Sequence, residues 1–450
     1  MYVRYHVPKN EMPPMGAPFS KSSVTRDDRC MNCGRCKDAC IYSVHERSAT
    51  DPRVMAEPKS YLCKNCLRCI EECPQRALSV ELSKSYLELG GGLWTPQRVV
   101  TIWNEAWTGK IPVFGAGYRG MFSGTGYDSM WTDMSEIVRP TRDGIHGREF
   151  ISTSIDLGKR VDYLEFDAAG RLTTKMPNFV EIPIPMILDL TRLDLTTQAR
   201  KGLMQAAKAL GTLFIAPAEG ELPNGRNGSM VPVFGAGSTA AKFEPKPKMV
   251  EVEYSADWAS DLKALKERFG GVPVGIRVQA KAGIEKLAVE LASSEADIIH
   301  ILYDEQGRES EGRLAKDSLL SVNRAIATAS LRERVSIIAG GGLAAAEHVP
   351  KSLLCGADAI TMERALKVAL GCHACAECKK ESCTMDQNGI TSDWSKWRAV
   401  NLVGAWRDQM LEIMGAMGVR EARRLRGESG RAIFYEETEK DAFANINGGA

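Results

Sequence analysis

The sequence predicts an α/β protein: a parallel (β/α)8 barrel, the TIM-barrel architecture, with a small cysteine-rich module ahead of it. Two patterns carry that prediction. From about residue 180 eight short apolar runs alternate with amphipathic stretches, and two cysteine runs of identical spacing stand between residues 30 and 73. A chain of 450 residues is about three times the ~150-residue prior for one domain and has room for both. The expected boundaries are the cysteine module over 1–85, a connecting segment over 86–180, the barrel over 181–390 and a helical tail over 391–450.

Composition narrows the function before any motif does. With 58 Lys+Arg against 57 Asp+Glu the chain carries no bulk field that would attract nucleic acid or an anionic membrane. The most apolar stretch, Ile182–Leu190, is broken by Pro183 and Pro185 and is far shorter than the ~20 residues a membrane helix needs. The opening Met1–Pro8 has no apolar core with a cleavage site, so the expected address is cytoplasmic. Twelve of the 13 cysteines fall in three short runs, with Cys355 alone. That clustering argues for metal ligation in a reducing compartment and against a disulfide framework.

The first two runs define the N-terminal module. Cys30, Cys33, Cys36 and Cys40 are spaced C-x2-C-x2-C-x3-C, and Cys63, Cys66, Cys69 and Cys73 repeat the spacing with Pro74 next. Two-residue gaps let three thiolates of one loop reach three corners of a cubane, and the fourth cysteine of each run serves the other cluster. One [4Fe-4S] cluster then takes Cys30, Cys33, Cys36 and Cys73, and the other takes Cys63, Cys66, Cys69 and Cys40. Zinc is the alternative, although its sites more often use two separated pairs that close one tetrahedron. The pattern resembles a bacterial two-cluster ferredoxin, which implies a ferredoxin-like electron-transfer module over about residues 25 to 85, with Tyr61 and Ile70 packed against the clusters.

The barrel strands are expected at Ile182–Leu190, Thr212–Ala216, Met230–Phe234, Met249–Val252, Val272–Val278, Asp297–Leu302, Val335–Ala339 and Asp358–Thr361. Helical periodicity lies between several of them, at Thr196–Leu210, Ala256–Phe269, Ala282–Ser293 and Leu314–Ser330. The connection between the third and fourth strands is poor in helical pattern and carries Glu-Pro-Lys-Pro-Lys at 244 to 248. Function in such a barrel sits at the C-terminal strand ends, with phosphate held after strands seven and eight. There stand Gly340-Gly341-Gly342-Leu343 and Met362-Glu363-Arg364-Ala365. Bare glycine backbone approaches a phosphate closely, and a guanidinium pairs with it. Together the two loops look like the flavin mononucleotide (FMN) phosphate site of barrel oxidoreductases.

The third run is Cys372, Cys375, Cys378 and Cys383. The spacing Cys372-x5-Cys378-x4-Cys383 resembles the [3Fe-4S] signature of the glutamate synthase large subunit, which stands at the same place beside an FMN barrel. Upstream, Ala206 to Glu221 is similar to that family's helix leading to its Gly-Glu-Gly-Gly loop, and Gly340 to Leu343 to its Asp-Gly-Gly-Leu. Downstream, Asn401 to Arg407, Met417 to Arg420 and the segment from Leu425 are similar to its closing helix and turn. The similarity covers roughly residues 180 to 431.

The resemblance implies a flavoprotein that passes electrons from iron-sulfur centres to FMN for the reductive amination of 2-oxoglutarate with ammonia to L-glutamate. An electron-relay subunit of a larger redox complex, without the amination chemistry, is the alternative. Departures bear on the choice. Tyr2 follows the initiator where the full-length enzyme begins a glutaminase domain with a cysteine, so ammonia would come from solution or from a glutaminase subunit. The substrate loop between strands four and five has no counterpart between Val252 and Asp257, and strand six is followed by Tyr303-Asp-Glu-Gln-Gly307. Arg277 stands where the family's flavin-side lysine is expected and keeps a cation able to stabilise an anionic reduced flavin, with a different geometry. Glu219 matches a glutamate facing flavin and substrate, the other reading being a solvated loop carboxylate. No credible NAD(P)H fingerprint is present, so a separate electron-donor protein or NAD(P)H-oxidising reductase subunit is expected.

The remaining signals are weaker. Cys375 is either a bystander or the fourth ligand of a [4Fe-4S] cluster. Cys355 reads as a small buried hydrophobe at a helix end, and His300 as a core histidine or a flavin contact. Gly115 to Gly120 fits G-x-G-x-x-G without the helix that a dinucleotide fingerprint needs. Thr95-Pro96 reads as the start of a short helix, and the rest of 86–180 as a link that covers the barrel mouth.

Overall fold

The computed structural model describes residues 6–10, 20–111, 113–114, 117–118, 124–133, 150–161, 163–175, 177–219, 228–238, 243, 246–376, 378, 385 and 388–438. The chain divides into two compact units. One comprises 13–99 with 373–381, and the other comprises 1–12, 100–372 and 382–450.

In the smaller unit, β1 (Ser22–Arg26) pairs antiparallel with β2 (Leu78–Leu82), so the two ends of the cysteine segment are tied together. Between them lie two short helices, α1 (Arg35–Ala39) and α2 (Arg68–Glu71), each starting inside a cysteine run. The apolar centre is small: Cys36, Met55, Cys69 and Leu78, with Ile70 and Val80 packed on it. Ile70 is therefore placed as expected, whereas Tyr61 is exposed.

The larger unit is a closed parallel barrel. Its strands are β5 (Met186–Asp189), β6 (Phe214–Pro217), β7 (Met230–Phe234), β8 (Val250–Glu253), β9 (Val274–Gln279), β10 (Ile298–Leu302), β11 (Ser336–Gly340) and β12 (Ala359–Met362). They follow one another in chain order, and β12 closes on β5. All eight expected runs became strands. Crossover helices follow five of them before the next strand: α4 (Thr197–Leu210), α5 (Trp258–Arg268), α6 (Ile284–Ser293), α7 (Ala315–Thr328) and α8 (His348–Leu354). A short α9 (Arg364–Ala369) follows β12. Among the described residues no helix joins β6 to β7 or β7 to β8, in keeping with the proline-rich stretch at 244 to 248. Thr196 caps α4 by accepting the Ala199 N–H at 3.3 Å, and Gly211 ends it in the left-handed region.

One expectation is corrected. Pro183 and Pro185 split the Ile182–Leu190 run: Phe179–Ile182 is β4, paired antiparallel with β3 (Ile155–Gly158), and the barrel begins only at Met186. Part of the segment before the barrel packs at its N-terminal end. Gly158 exchanges two hydrogen bonds with the Ser336 hydroxyl, at 3.0 and 2.9 Å, and Ser336 opens β11, so β3 lies at the N-terminal end of the barrel. The helix predicted at Thr95-Pro96 forms as α3 (Pro96–Thr108).

The tail forms one long helix, α10 (Ser392–Ala416), capped by Thr391. Its Asn401 amide donates to the carbonyls of Ala106 and Trp107 at 3.1 and 3.0 Å and so satisfies the C-terminal end of α3. Cys355 is fully buried at the end of α8, where burial pushes its thiol up to about 12; it packs as the small hydrophobe expected. No described helix is long and apolar enough to cross a membrane.

Candidate functional site

The two cysteine loops of the small unit are built alike. Equivalent positions take the left-handed conformation in both: Asn32 and Asn65 (φ 56° each), Gly34 and Leu67 (85° and 61°), Ser43 and Arg76 (56° and 48°). Alternating left- and right-handed residues turn successive N–H groups to one side, the concavity that iron-sulfur and phosphate sites use. The Asn65 N–H reaches Cys63 Sγ at 3.4 Å, and the Ala77 N–H reaches Cys73 Sγ at 3.3 Å. One cavity is lined by Cys30, Cys33, Cys36 and Cys73, and a second by Cys40, Cys63, Cys66 and Cys69.

Each cavity thus gathers three thiols from one run and one from the other. Burial pushes the Cys69 thiol up to about 11, and the neighbouring sulfurs of Cys40, Cys63 and Cys66 push the same way. Burial also raises Cys36, against the pull of Arg26 and with Cys30 and Cys33 adding to the rise. Four thiols crowded in this way repel as thiolates unless a cationic centre sits between them, and soft sulfur donors fit iron-sulfur clusters. In the third run, Cys372 packs with Leu370, Met385 and Ile390, while Cys375 and Cys378 are exposed and Cys383 lies outside the described residues.

At the C-terminal end of the barrel three loops meet. A Cβ on Gly340 would lie 2.3 Å from Thr361 Oγ1 and 2.8 Å from Glu363 Oε1; on Gly341, 2.4 Å from the Tyr303 carbonyl; on Gly342, 2.1 Å from Gly307 Cα. The glycines are thus required by the close approach of the loops after β10 and β12. Among the described residues the N–H groups of Gly341, Gly342 and Leu343 make no backbone hydrogen bond outside regular structure, and such free donors suit a phosphate. Met362 is buried, and Arg364 pairs with Glu305. Glu363 turns to the interior: it accepts from the Thr361 hydroxyl at 3.2 Å and pairs with Arg192 at 3.0 Å.

Inside the barrel mouth, Arg277 on β9 is 1% exposed. Its Nη2 donates to Asp189 at 2.6 Å and to the Thr191 hydroxyl at 2.7 Å, and Glu251 and Glu253 lie at 3.9 and 3.5 Å. Burial alone would lower this guanidinium, but Asp189, Glu251 and Glu253 outweigh it and hold Arg277 above its ordinary value. Arg277 Nε and Nη1 are buried without a hydrogen-bond partner. His300 is fully buried, with Nδ1 3.1 Å from both Glu251 oxygens and Nε2 3.5 Å from Thr361 Oγ1. Burial raises the carboxyls of Glu253 and Glu363, with Arg277 and Arg192 respectively opposing. Glu219, exposed at the end of β6, accepts from the Ser238 hydroxyl.

Residues 239–420 match the family model described as the conserved region in glutamate synthase. Curated relatives align over nearly their whole length. An archaeal-type glutamate synthase [NADPH] of Dehalococcoides mccartyi is 24% identical over 91% of this chain and 94% of its own. The archaeal glutamate synthases [NADPH] of Archaeoglobus fulgidus and Methanocaldococcus jannaschii are each 25% identical, over 93% and 92% of this chain and 95% of theirs. Over residues 239–420 the chain thus carries the conserved region of glutamate synthases, and over nearly its whole length it is similar to archaeal-type members.

Arg277, the Gly340 to Gly342 loop, Met362 to Arg364 and the third cysteine run lie inside the matched region, while Glu219 and the first two runs precede it. Glu219 shares no described contact with Arg277. Sequence reasoning missed Asp189, Glu251, Glu253, Thr361 and Arg192, which surround Arg277 and Glu363. The available signal was the acidic residue within each of two barrel strands, since a charge in a strand buried on both faces needs a partner.

Proposed function

We propose that the protein is the synthase subunit of a glutamate synthase: it converts 2-oxoglutarate and ammonia, taken from solution or from a glutaminase subunit, to L-glutamate with electrons received through its N-terminal module. The match of 239–420 to the conserved region, within relatives aligned end to end, carries this reading. When bound, FMN supplies hydride transfer to the imine of 2-oxoglutarate, and two [4Fe-4S] clusters and a third cluster of [3Fe-4S] or, with Cys375, [4Fe-4S] type supply one-electron transfer. The residues present fit these groups: unengaged N–H donors at Gly341 to Leu343, two unpartnered buried donors on Arg277, and two four-thiol cavities.

The chain's own residues have distinct tasks. The Gly340 to Gly342 loop, beside Arg364, holds the FMN phosphate. Cys372, Cys378 and Cys383 hold the third cluster. Arg277, fixed by Asp189 and Thr191, places a permanent cation at the mouth with Nε and Nη1 free to donate to an anionic ring or a substrate carboxylate. Glu363 and His300, joined through Thr361, form a buried hydrogen-bonded chain able to hold and move a proton. Glu219 orients substrate at the rim. The first two cysteine runs accept electrons from a separate donor protein or an NAD(P)H-oxidising reductase subunit. The archaeal relatives' name specifies NADPH, which supports the second. The site of action is the cytoplasm.

The test is to reduce the anaerobic holoprotein with dithionite, remove the excess, and add 2-oxoglutarate with ammonium while the flavin band is followed. Reoxidation that requires both additions is expected. A flavin that stays reduced would favour an electron-relay subunit.

A further inference from the structure

The small unit holds two polar side chains with buried atoms that its own groups leave unsatisfied: the buried His45 and the half-buried Arg26. Arg26, the last residue of β1, donates from Nη1 to the Met55 and Ala56 carbonyls at 3.2 and 2.9 Å, while its Nε and Nη2 are buried with no partner. His45 is 1% exposed, and neither ring nitrogen has a partner. Buried N–H groups left unmade cost on the order of 1–3 kcal/mol, and more on a charged side chain, so each such group calls for a missing acceptor. Both lie at cysteine cavities, and at different ones. Arg26 lines the cavity of Cys30, Cys33, Cys36 and Cys73; His45 lines that of Cys40, Cys63, Cys66 and Cys69.

The two loops are otherwise closely matched. Arg35 and Arg68 occupy equivalent places, both exposed, one at each cavity, so their effects offset. Lys64, at the His45 cavity, is exposed and screened by water and salt. The unmatched differences are a guanidinium with buried donors on one side, joined there by the half-buried Arg47 that donates to the Asn32 carbonyl at 2.7 Å, and an imidazole on the other.

We propose that Arg26 and His45 are the hydrogen-bond donors to the sulfurs of the two clusters and make them unequal, so that the cluster beside Arg26 takes the first electron. The inference rests on the two-cluster reading. A thiolate-ligated cluster is anionic and becomes more so on reduction; a permanent cation whose free donors are buried therefore stabilises the reduced form more than the oxidised one and raises the potential, whereas an imidazole N–H contributes a dipole alone. In the step itself one electron from an external reductant converts one ferric centre of the Arg26-side cluster to ferrous, and no bond is made or broken. Electrons that enter at the His45-side cluster would run downhill to the Arg26 side.

The test is anaerobic redox-poised EPR on the full-length holoprotein and its Arg26→Gln, Arg26→Lys and His45→Phe forms, with iron and sulfide measured on each. The wild type should show two cluster signals that titrate separately. Arg26→Gln should make the first-reduced signal at least tenfold harder to reduce, which for one electron is about 59 mV; Arg26→Lys should shift it less. His45→Phe should move the later-reduced signal and leave the first in place, a result that stands even where the Gln form fails to assemble. Two signals that titrate together, or an Arg26→Gln shift confined to the later one, would overturn the inference and leave the clusters standing. Iron and sulfide too low for two clusters would overturn the cluster reading and this inference with it.

Discussion

Arg277 is the residue on which the barrel site turns. Its removal leaves Asp189 and Glu251 buried without their cation. Arg277→Met should therefore cost about 3–5 kcal/mol, the usual penalty for breaking a buried pair by removing one partner. Denaturant unfolding followed by tryptophan fluorescence reads it, and a variant as stable as wild type would show that the carboxylates are not ionised. In the small unit, Cys73→Ser should remove the cluster shared with Cys30, Cys33 and Cys36, about four irons, and spare the other; equal loss from both would contradict the crossed ligand sets. At this scale the gathering of the cysteines, three from one run and one from the other, into two cavities was legible because spacing sets which sulfurs can meet. The acidic partners of Arg277 were not, because a strand pattern shows that a residue is in the barrel wall but not which charged neighbour faces it across the interior.

Among the elements, the loop after β11 makes the sharpest demand. Gly342 has a φ of 68°, and a Cβ there would lie 2.1 Å from Gly307 Cα, backbone that cannot swing aside. Gly342→Ala should cost about 1–3 kcal/mol or more and weaken retention of FMN, measured as the flavin-to-protein ratio after gel filtration; undiminished flavin content would remove this loop from the cofactor site. A second demand lies where α3 meets α10. Glu105 is buried, accepting from Trp406 Nε1 at 2.9 Å and Gln409 Nε2 at 2.7 Å, and burial pushes its carboxyl up to about 8. The folded state then keeps a proton that the unfolded chain has already lost above its ordinary value of 4.5. Stability should fall as pH rises from about 4.5 toward 8, by up to about 1.4 kcal/mol per pH unit from this group. Glu105→Gln should flatten that slope in pH-dependent unfolding, and an unchanged slope would mean that Glu105 is ionised. The strands were legible from their apolar runs, yet Pro183 and Pro185 broke one run into two elements with different partners. The pairing of the link segment to Ser336 is long-range and leaves no local pattern.

The whole molecule combines a unit whose chemistry is carried by cysteines with one whose chemistry is carried by strand ends. Spacing revealed the first and alternation the second. Their joint purpose came from the third cysteine run, placed directly after the last barrel helix. The central claim is that electrons delivered to this chain end in a C–N product. The most direct test is an anaerobic assay of the purified protein driven by reduced viologen, with 15N-ammonium and 2-oxoglutarate supplied and the products read by mass spectrometry. The account predicts 15N-labelled glutamate that requires 2-oxoglutarate and is lost in Arg277→Met. Continued oxidation of the viologen by an added electron acceptor, with no labelled glutamate from a protein replete in iron and flavin, would contradict it.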